Sequence, residues 1–228
     1  MAMYTRLPTS KAVQKLDHPI GIRQEHIADS QTLLYLQPKY DQLSPNEYTL
    51  RRDWDNSTIF TVTGKKYGDT PVREFRNSSG LPLFEAHRVV PTWRRPWRVR
   101  LPGSEGTELV EIKTGWQSRL HLTFRDAAAT DSKEESEKMV RVEIQQMVTF
   151  AWHEFTAWVE GKKVVDIREN MHLNKTIGTI YNTRSWAPTL PPRPVLDVLV
   201  AEGFDLSLAA LIAVIMSDMA FSSTPGPR

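Results

Sequence analysis

Four arginines and two tryptophans fall within eight residues at Trp93-Arg94-Arg95-Pro96-Trp97-Arg98-Val99-Arg100. Guanidinium groups bind phosphates and carboxylates through paired hydrogen bonds, and tryptophan favours a membrane–water interface. On a strand, Arg98 and Arg100 share one face and Trp97 and Val99 the other, with Arg94 and Arg95 in the preceding turn. The functional reading is a site for an anionic headgroup or a phosphopeptide, built from Trp93, Arg94, Arg95, Trp97, Arg98 and Arg100. The plainer reading is a strand with solvated arginines and inward aromatics. Lys65-Lys66 and Lys162-Lys163 read as solubility charges at hairpin tips.

Other constellations fall short of chemistry. His153-Glu154 starts like a zinc-protease motif, but position 157, one helical turn on, is Ala and not the second His. Asp53-Trp54-Asp55-Asn56 starts like a calcium loop. Thr58 stands where the sharp turn needs Gly, so a hairpin turn is expected instead. There is no Gly-x-Ser-x-Gly elbow and no glycine-rich phosphate loop. The histidines, at 18, 26, 87, 121, 153 and 172, are scattered. The absence of cysteine excludes disulfides, thiolate nucleophiles, zinc–cysteine sites and S-palmitoylation. The chain therefore reads as a non-enzyme, with no catalytic residue, metal site or cofactor assigned.

Bulk properties narrow the partners. Lys plus Arg total 29 against 27 for Asp plus Glu, a net charge of +2. A general nucleic-acid binder carries a clear positive excess, so no nucleic-acid partner is expected. No apolar run follows Met1-Ala2-Met3-Tyr4-Thr5-Arg6, so no secretory signal is read there. The expected location is intracellular and cytoplasmic, peripheral at a membrane if the arginines meet lipid.

Elements that could position the arginines are mostly strands. Residues 1 to about 30 are polar and lack a period, so they read as a tail that adds little to the core, although Ile20, Ile22 and Ile27 could dock. Leu33-Leu34-Tyr35-Leu36 is the first apolar run, ended by Pro38. Phe60 and Val62 share one face. Leu120, Leu122 and Phe124 turn inward while His121, Thr123 and Arg125 turn outward. Val140, Val142 and Ile144 alternate with Arg141, Glu143 and Gln145. Such strict alternation marks strands with one wet face.

A further short strand is expected around Ile177 and Ile180, and a solvated loop at Asp131–Glu137. Turn signals recur roughly every ten residues, as in a sandwich or barrel. They include Gly64, Gly68-Asp69, Asn77–Gly80, Gly103 with Gly106, and Glu160-Gly161. About ten to twelve strands follow. Pro188, Pro191, Pro192 and Pro194 make a stiff connector to a buried strand at Val195–Ala201. Glu202-Gly203-Phe204 then turns the chain, and Asp205 is a plausible N-cap.

The last element constrains the fold most. Leu206 to Phe221 is apolar around its whole circumference and must be surrounded on all sides. At 1.5 Å per residue its length is roughly 24 Å, short of the roughly 30 Å a bilayer requires. Asp218 lies inside it, and no basic residue flanks it before Arg228, so no transmembrane span is expected. The remaining environment is the interior of a closed sheet, and closure also removes aggregation-prone edges.

At these same places the chain resembles the LURP-one-related family of plants and fungi, which shares a fold with the tubby C-terminal domain and the phospholipid scramblases. Phe60–Thr63 is similar to the family's early strand, Asn77–Phe84 to its hairpin, Trp97–Arg100 to its tryptophan strand and Phe155–Gly161 to a later hairpin. Val198–Asp205 followed by the apolar helix is the nearest correspondence. The resemblance covers roughly residues 45 to 221. It implies a mainly β fold, a closed antiparallel barrel of twelve strands around the C-terminal helix, over 31–221 with a short tail at 222–228. Three function classes follow from it: a tubby-like barrel that binds an anionic ligand such as a phosphoinositide headgroup, a scramblase-like lipid-handling protein, or a protein-interaction module in stress or defence signalling. Scramblases carry an acidic calcium-type segment and acylated cysteines, which Glu202–Asp205 and a cysteine-free chain do not match.

Overall fold

The computed structural model describes residues 12–39, 47–64, 72–88, 97–104, 106, 108–114, 119–129, 138–148, 153–174 and 193–221. The strands are β1 (Thr32–Pro38), β2 (Tyr48–Arg52), β3 (Thr58–Gly64), β4 (Val72–Asn77), β5 (Pro82–Arg88), β6 (Trp97–Arg100), β7 (Glu108–Thr114), β8 (Leu120–Arg125), β9 (Met139–Val148), β10 (His153–Val159), β11 (Lys162–Glu169) and β12 (Leu196–Val200). They form a closed barrel in which each strand pairs antiparallel with its chain neighbour. The ring shuts where β12 pairs with β1, from Thr32 opposite Val200 to Leu36 opposite Leu196.

The alternation read from the sequence sets which side chains enter the lumen. Phe60, Val62, Leu120, Leu122, Phe124, Val142 and Ile144 are all buried, whereas Arg125 and Arg141 are exposed. The Asp53–Asn56 segment is a hairpin turn, with Asn56 at φ 54°. Glu160 and Gly161 both hold positive φ at the β10–β11 tip, as a tight two-residue hairpin requires. The expected strand near Ile177 and Ile180, the loop at 131–137, the connector prolines at 188–192, Gly68-Asp69, Lys65-Lys66 and the tail at 222–228 lie outside the described residues.

The helix Leu206–Phe221 fills the lumen, and every residue from Leu206 to Asp218 is buried. Its first turn is capped as the sequence suggests. Asp205 Oδ1 accepts from the Ser207 N–H at 2.7 Å and the Leu208 N–H at 3.3 Å, satisfying donors with no partner inside the helix.

The N-terminal segment differs from the tail expected of it. Over residues 12–30 it is a strap packed on the barrel end where the helix begins, with Val13, Leu16, Ile20 and Ala28 buried in the common core. Ile20 N–H donates to Gly203 O at 2.9 Å, Asp205 N–H to Ile20 O at 3.1 Å, and Ala28 N–H to Phe204 O at 3.0 Å. Asp205 Oδ2 accepts from the Ile22 and Arg23 N–H groups at 3.0 and 2.9 Å. The approach is so close that a Cβ on Gly21 would sit 2.5 Å from the Asp205 Cβ. The strap is irregular because its bonds run to turns rather than along one strand, so it has no period to read.

Lys163 is also not a solvated tip charge. It is buried, and its ammonium meets Asp166 at 3.1 Å, while its carbonyl accepts from the strap's Gln14 N–H at 2.8 Å. Lys162 keeps to the surface and pairs with the strap's Asp17 at 2.6 Å.

Two outcomes test this packing. Ala213→Asp places an unpaired charge in the filled lumen at a cost of several kcal/mol, the size of a domain's whole margin, and should leave no cooperative melt. A soluble variant melting like wild type would refute enclosure of the helix. Deleting residues 1–30 exposes the surface under Val13, Leu16 and Ile20 and should lower Tm on the order of 10 °C, measured by circular dichroism. An unchanged Tm would return the segment to the role of a tail.

Candidate functional site

The two faces of β6 divide as strand geometry demands. Trp97 and Val99 are buried in the barrel wall, and Arg98 and Arg100 point outward with side-chain exposures of 44% and 25%. Trp93, Arg94 and Arg95 lie outside the described residues. Of the six residues singled out, the described geometry therefore brings two guanidiniums together on the surface and turns Trp97 away from them.

Register supplies both arginines with counter-charges. Arg100 lies between Glu85 of β5 and Glu108 of β7, and Arg98 lies between His87 and Glu111. Glu108 Oε1 stands 3.2 Å from Arg98 Nη1 and 3.9 Å from Arg100 Nη2. The face is a surface ion-pair network, of a kind in which each exposed pair contributes about 0–1 kcal/mol. Glu108 is shared by the two guanidiniums, and Glu85 and Glu111 flank them on the neighbouring strands, so the face carries no clear excess of positive charge.

The barrel end where the helix terminates holds a denser, buried ionic group. Asp218 Oδ2 accepts from Arg73 Nε at 2.7 Å, and Oδ1 from Arg193 Nη1 at 2.6 Å and from the Tyr48 hydroxyl at 2.7 Å. Arg193 also donates to the Tyr48 oxygen and lies over its ring at 5.5 Å. A carboxylate in the last helical turn faces the negative end of the helix dipole, and the two guanidiniums offset that repulsion. Burial, reinforced by the Asp218 charge, pushes the Tyr48 phenol well above its ordinary range. The group joins β2, β4, the segment before β12 and the helix.

The sequence marks Asp218 only as a charge inside an apolar helix, and it contains no local sign of Arg73 or Arg193 as its partners. Among the described residues no three His, Asp or Glu side chains come together as a metal site. Likewise, no described helix is long and apolar enough to cross a membrane.

A third group lies on the outer wall. Asp197 of β12 stands opposite Tyr35 of β1 and Arg168 of β11, and it accepts from Asn170 Nδ2 at 2.7 Å. Burial pushes its carboxyl up to about 6, with the Asp53 charge adding and the Asn170 bond opposing. Since the folded state holds this proton more tightly than the unfolded chain, stability is lost as pH rises from roughly 4 to roughly 6. Asp197→Asn keeps the acceptor and removes the titration. The gap in unfolding free energy between variant and wild type should open over that window and reach at most about 3 kcal/mol in the variant's favour. Parallel stability curves in urea from pH 4 to pH 7 would show that Asp197 is not protonated in the fold.

Comparison with known proteins agrees with this architecture. A crystal structure of a protein from Arabidopsis thaliana superposes with a TM-score of 0.52, covering 87% of this chain and 96% of that one at 14% identity, a likeness of fold. No curated protein matches the chain. The family model described as LURP-one-related matches residues 32–218, from the first strand of the barrel to the buried carboxylate of its helix, and the chain belongs to that family.

Proposed function

We propose that this chain is a non-enzymatic, intracellular binding barrel that works from its outer surface, with Arg98 and Arg100 meeting an anionic group, a phosphoinositide headgroup being the ligand class that tubby-like barrels suggest. The observation that carries this reading is the filled lumen. A helix buried from Leu206 to Asp218 occupies the space where other barrels hold a ligand, so recognition falls to the outside. On that outside, Arg98 and Arg100 form a pair that shares Glu108, and an anionic group would meet them by displacing that carboxylate.

Magnitudes limit the claim. A basic residue near an anionic leaflet contributes about 1 kcal/mol. Arg94, Arg95, Arg98 and Arg100 together would give about 4 kcal/mol, which corresponds to millimolar affinity. Tighter binding needs chelation of the headgroup, in competition with Glu108. The scramblase-like reading has less support, because the long apolar helix Leu206–Phe221 is enclosed. A protein partner is favoured by a different observation. Trp54 and Leu81, each 63% exposed, stand at the tips of the β2–β3 and β4–β5 hairpins on the same barrel end, and exposed tryptophans anchor protein interfaces.

Co-sedimentation with phosphatidylcholine vesicles, with and without a phosphoinositide and at two salt concentrations, tests the anion reading. Binding should require the phosphoinositide and weaken with salt. Arg98→Gln with Arg100→Gln should abolish it without shifting the melt, and Glu108→Gln, which releases both guanidiniums, should strengthen it. Wild-type binding that neither change alters would remove this face from consideration. No binding by wild type would favour the protein-partner reading.

A further inference from the structure

One side chain within the strap's attachment to the barrel can take up a proton near neutral pH. His26 ends the short turn Gln24–His26. It stands between two sets of bonds that hold the strap down. Before it, the Ile22 and Arg23 N–H groups donate to Asp205 Oδ2. After it, Ala28 N–H donates to Phe204 O at 3.0 Å, and Gly203 N–H donates to Ala28 O at 2.8 Å. The imidazole meets the buried ring of Phe60 on β3 at 5.1 Å, nearly perpendicular to it at 86°. Its Nε2 is shielded from solvent and, among the described residues, has no hydrogen-bond partner.

A neutral imidazole tolerates that position. With its proton on Nδ1, Nε2 is a bare acceptor and carries no charge into the packed interface. A second proton turns Nε2 into a charged donor that faces no acceptor, which costs more than an unmet neutral group. Burial lowers the basicity of His26, and the surrounding charges do not reverse this. Asp205 before the helix and Glu25 on the strap attract an imidazolium, Arg23 on the strap repels it, and Phe60 of β3 is uncharged. The Asp205 oxygens already accept from five donors, the N–H groups of Ile22, Arg23, Ser207 and Leu208 and the Ser207 hydroxyl.

We infer that His26 makes the strap an acid-sensitive latch: when the imidazole takes up a proton, residues 12–30 loosen from the barrel end while the barrel and its helix stay folded. The separation is possible because Asp205 divides its work. Oδ2 holds the strap and Oδ1 holds the first helical turn, so the helix keeps its cap when the strap leaves. Release uncovers Ile20 and the turn at Gly203 and Phe204 to which it is bonded. The latch goes beyond the reading of the β6 face and does not depend on it.

The released strap binds the proton more tightly than the docked one. Docking is therefore strongest above the ordinary histidine value of about 6.5 and weakens as pH falls below it. The neighbouring carboxylates act otherwise. Burial raises Asp205 and Asp197, so both favour the folded state towards acid. Asp17 is held low by Lys162 and Glu25 by a backbone hydrogen bond, so their contributions are lost only below pH 4.5.

Amide hydrogen exchange of the full chain between pH 5.5 and 7.5, corrected for the intrinsic rate, tests the latch. Protection of the Ile20, Ile22, Arg23 and Ala28 amides, relative to the helix amides from Leu211 to Ile215, should fall severalfold below pH 6.5, at most about tenfold per pH unit. His26→Phe keeps a ring against Phe60 and removes the titration, so strap protection should become flat with pH. His121→Phe, on β8, should leave the response in place. A proton NMR titration of the wild-type His26 ring should give a midpoint below 6.5. A midpoint above 6.5, flat strap protection in the wild type, an acid response that survives His26→Phe or vanishes in His121→Phe, or loss of protection in strap and helix together would each overturn the latch.

Discussion

A helix without a polar face can exist in water only if something else supplies its entire surroundings. Here that constraint falls on Leu206–Phe221, and twelve antiparallel strands meet it by closing into a ring. Closure pairs β1 with β12 across nearly the full length of the chain, so no strand edge is left to template aggregation. The inward side chains of the strands exist to contact the helix, and the helix is apolar all round because it meets strands on every side. Neither half of the core has a reason to keep its sequence without the other.

Both ends of that helix are managed by carboxylates, with opposite electrostatics. Asp205 lies at the positive end of the dipole, where a negative charge is favourable, and it serves two clients: the first helical turn and the strap. Burial raises its carboxyl, and the donors from Ser207, Arg23 and Leu208 oppose that shift. His26 follows the same strap over Phe60, with ring centroids 5.1 Å apart, and burial lowers its basicity. Asp218 lies at the unfavourable end, and Arg73 and Arg193 make it tolerable. A buried ion pair of this kind contributes little net stability against an apolar alternative, but losing one partner is costly. Its consequence here is positional, since it ties the segment before β12 and the start of β4 to the helix terminus.

The helix fills the interior, and the arginines of β6 lie outside it. The outer wall of β5–β6–β7 shows how register sets the strength of a charged patch. In the linear sequence Arg98 and Arg100 belong to a basic run, yet in the sheet they stand among Glu85, Glu108 and Glu111.

Alternation over β3, β8 and β9 and the all-round apolarity of the last helix were legible from residues alone, since both are local periodicities that a strand or a helix imposes on its own side chains. Asp205 was legible as a cap for the same reason, its donors being two and three residues ahead. The pairing of Arg73 and Arg193 with Asp218 was not, because these residues are 145 and 25 positions away from their carboxylate, and only barrel closure brings them to one end of the helix. The strap carries no local signal, because Val13, Leu16, Ile20 and Ala28 share no period; they follow the contour of the turns beneath them. Whether Lys163 is wet, and whether Arg98 and Arg100 are free to meet an anion, were likewise decided by neighbours on adjacent strands. The sequence by itself determined which residues turn inward and which element must be enclosed, because those follow from local geometry and the cost of exposing apolar surface; the tertiary structure decided which charges meet, because that depends on register between segments far apart in the chain.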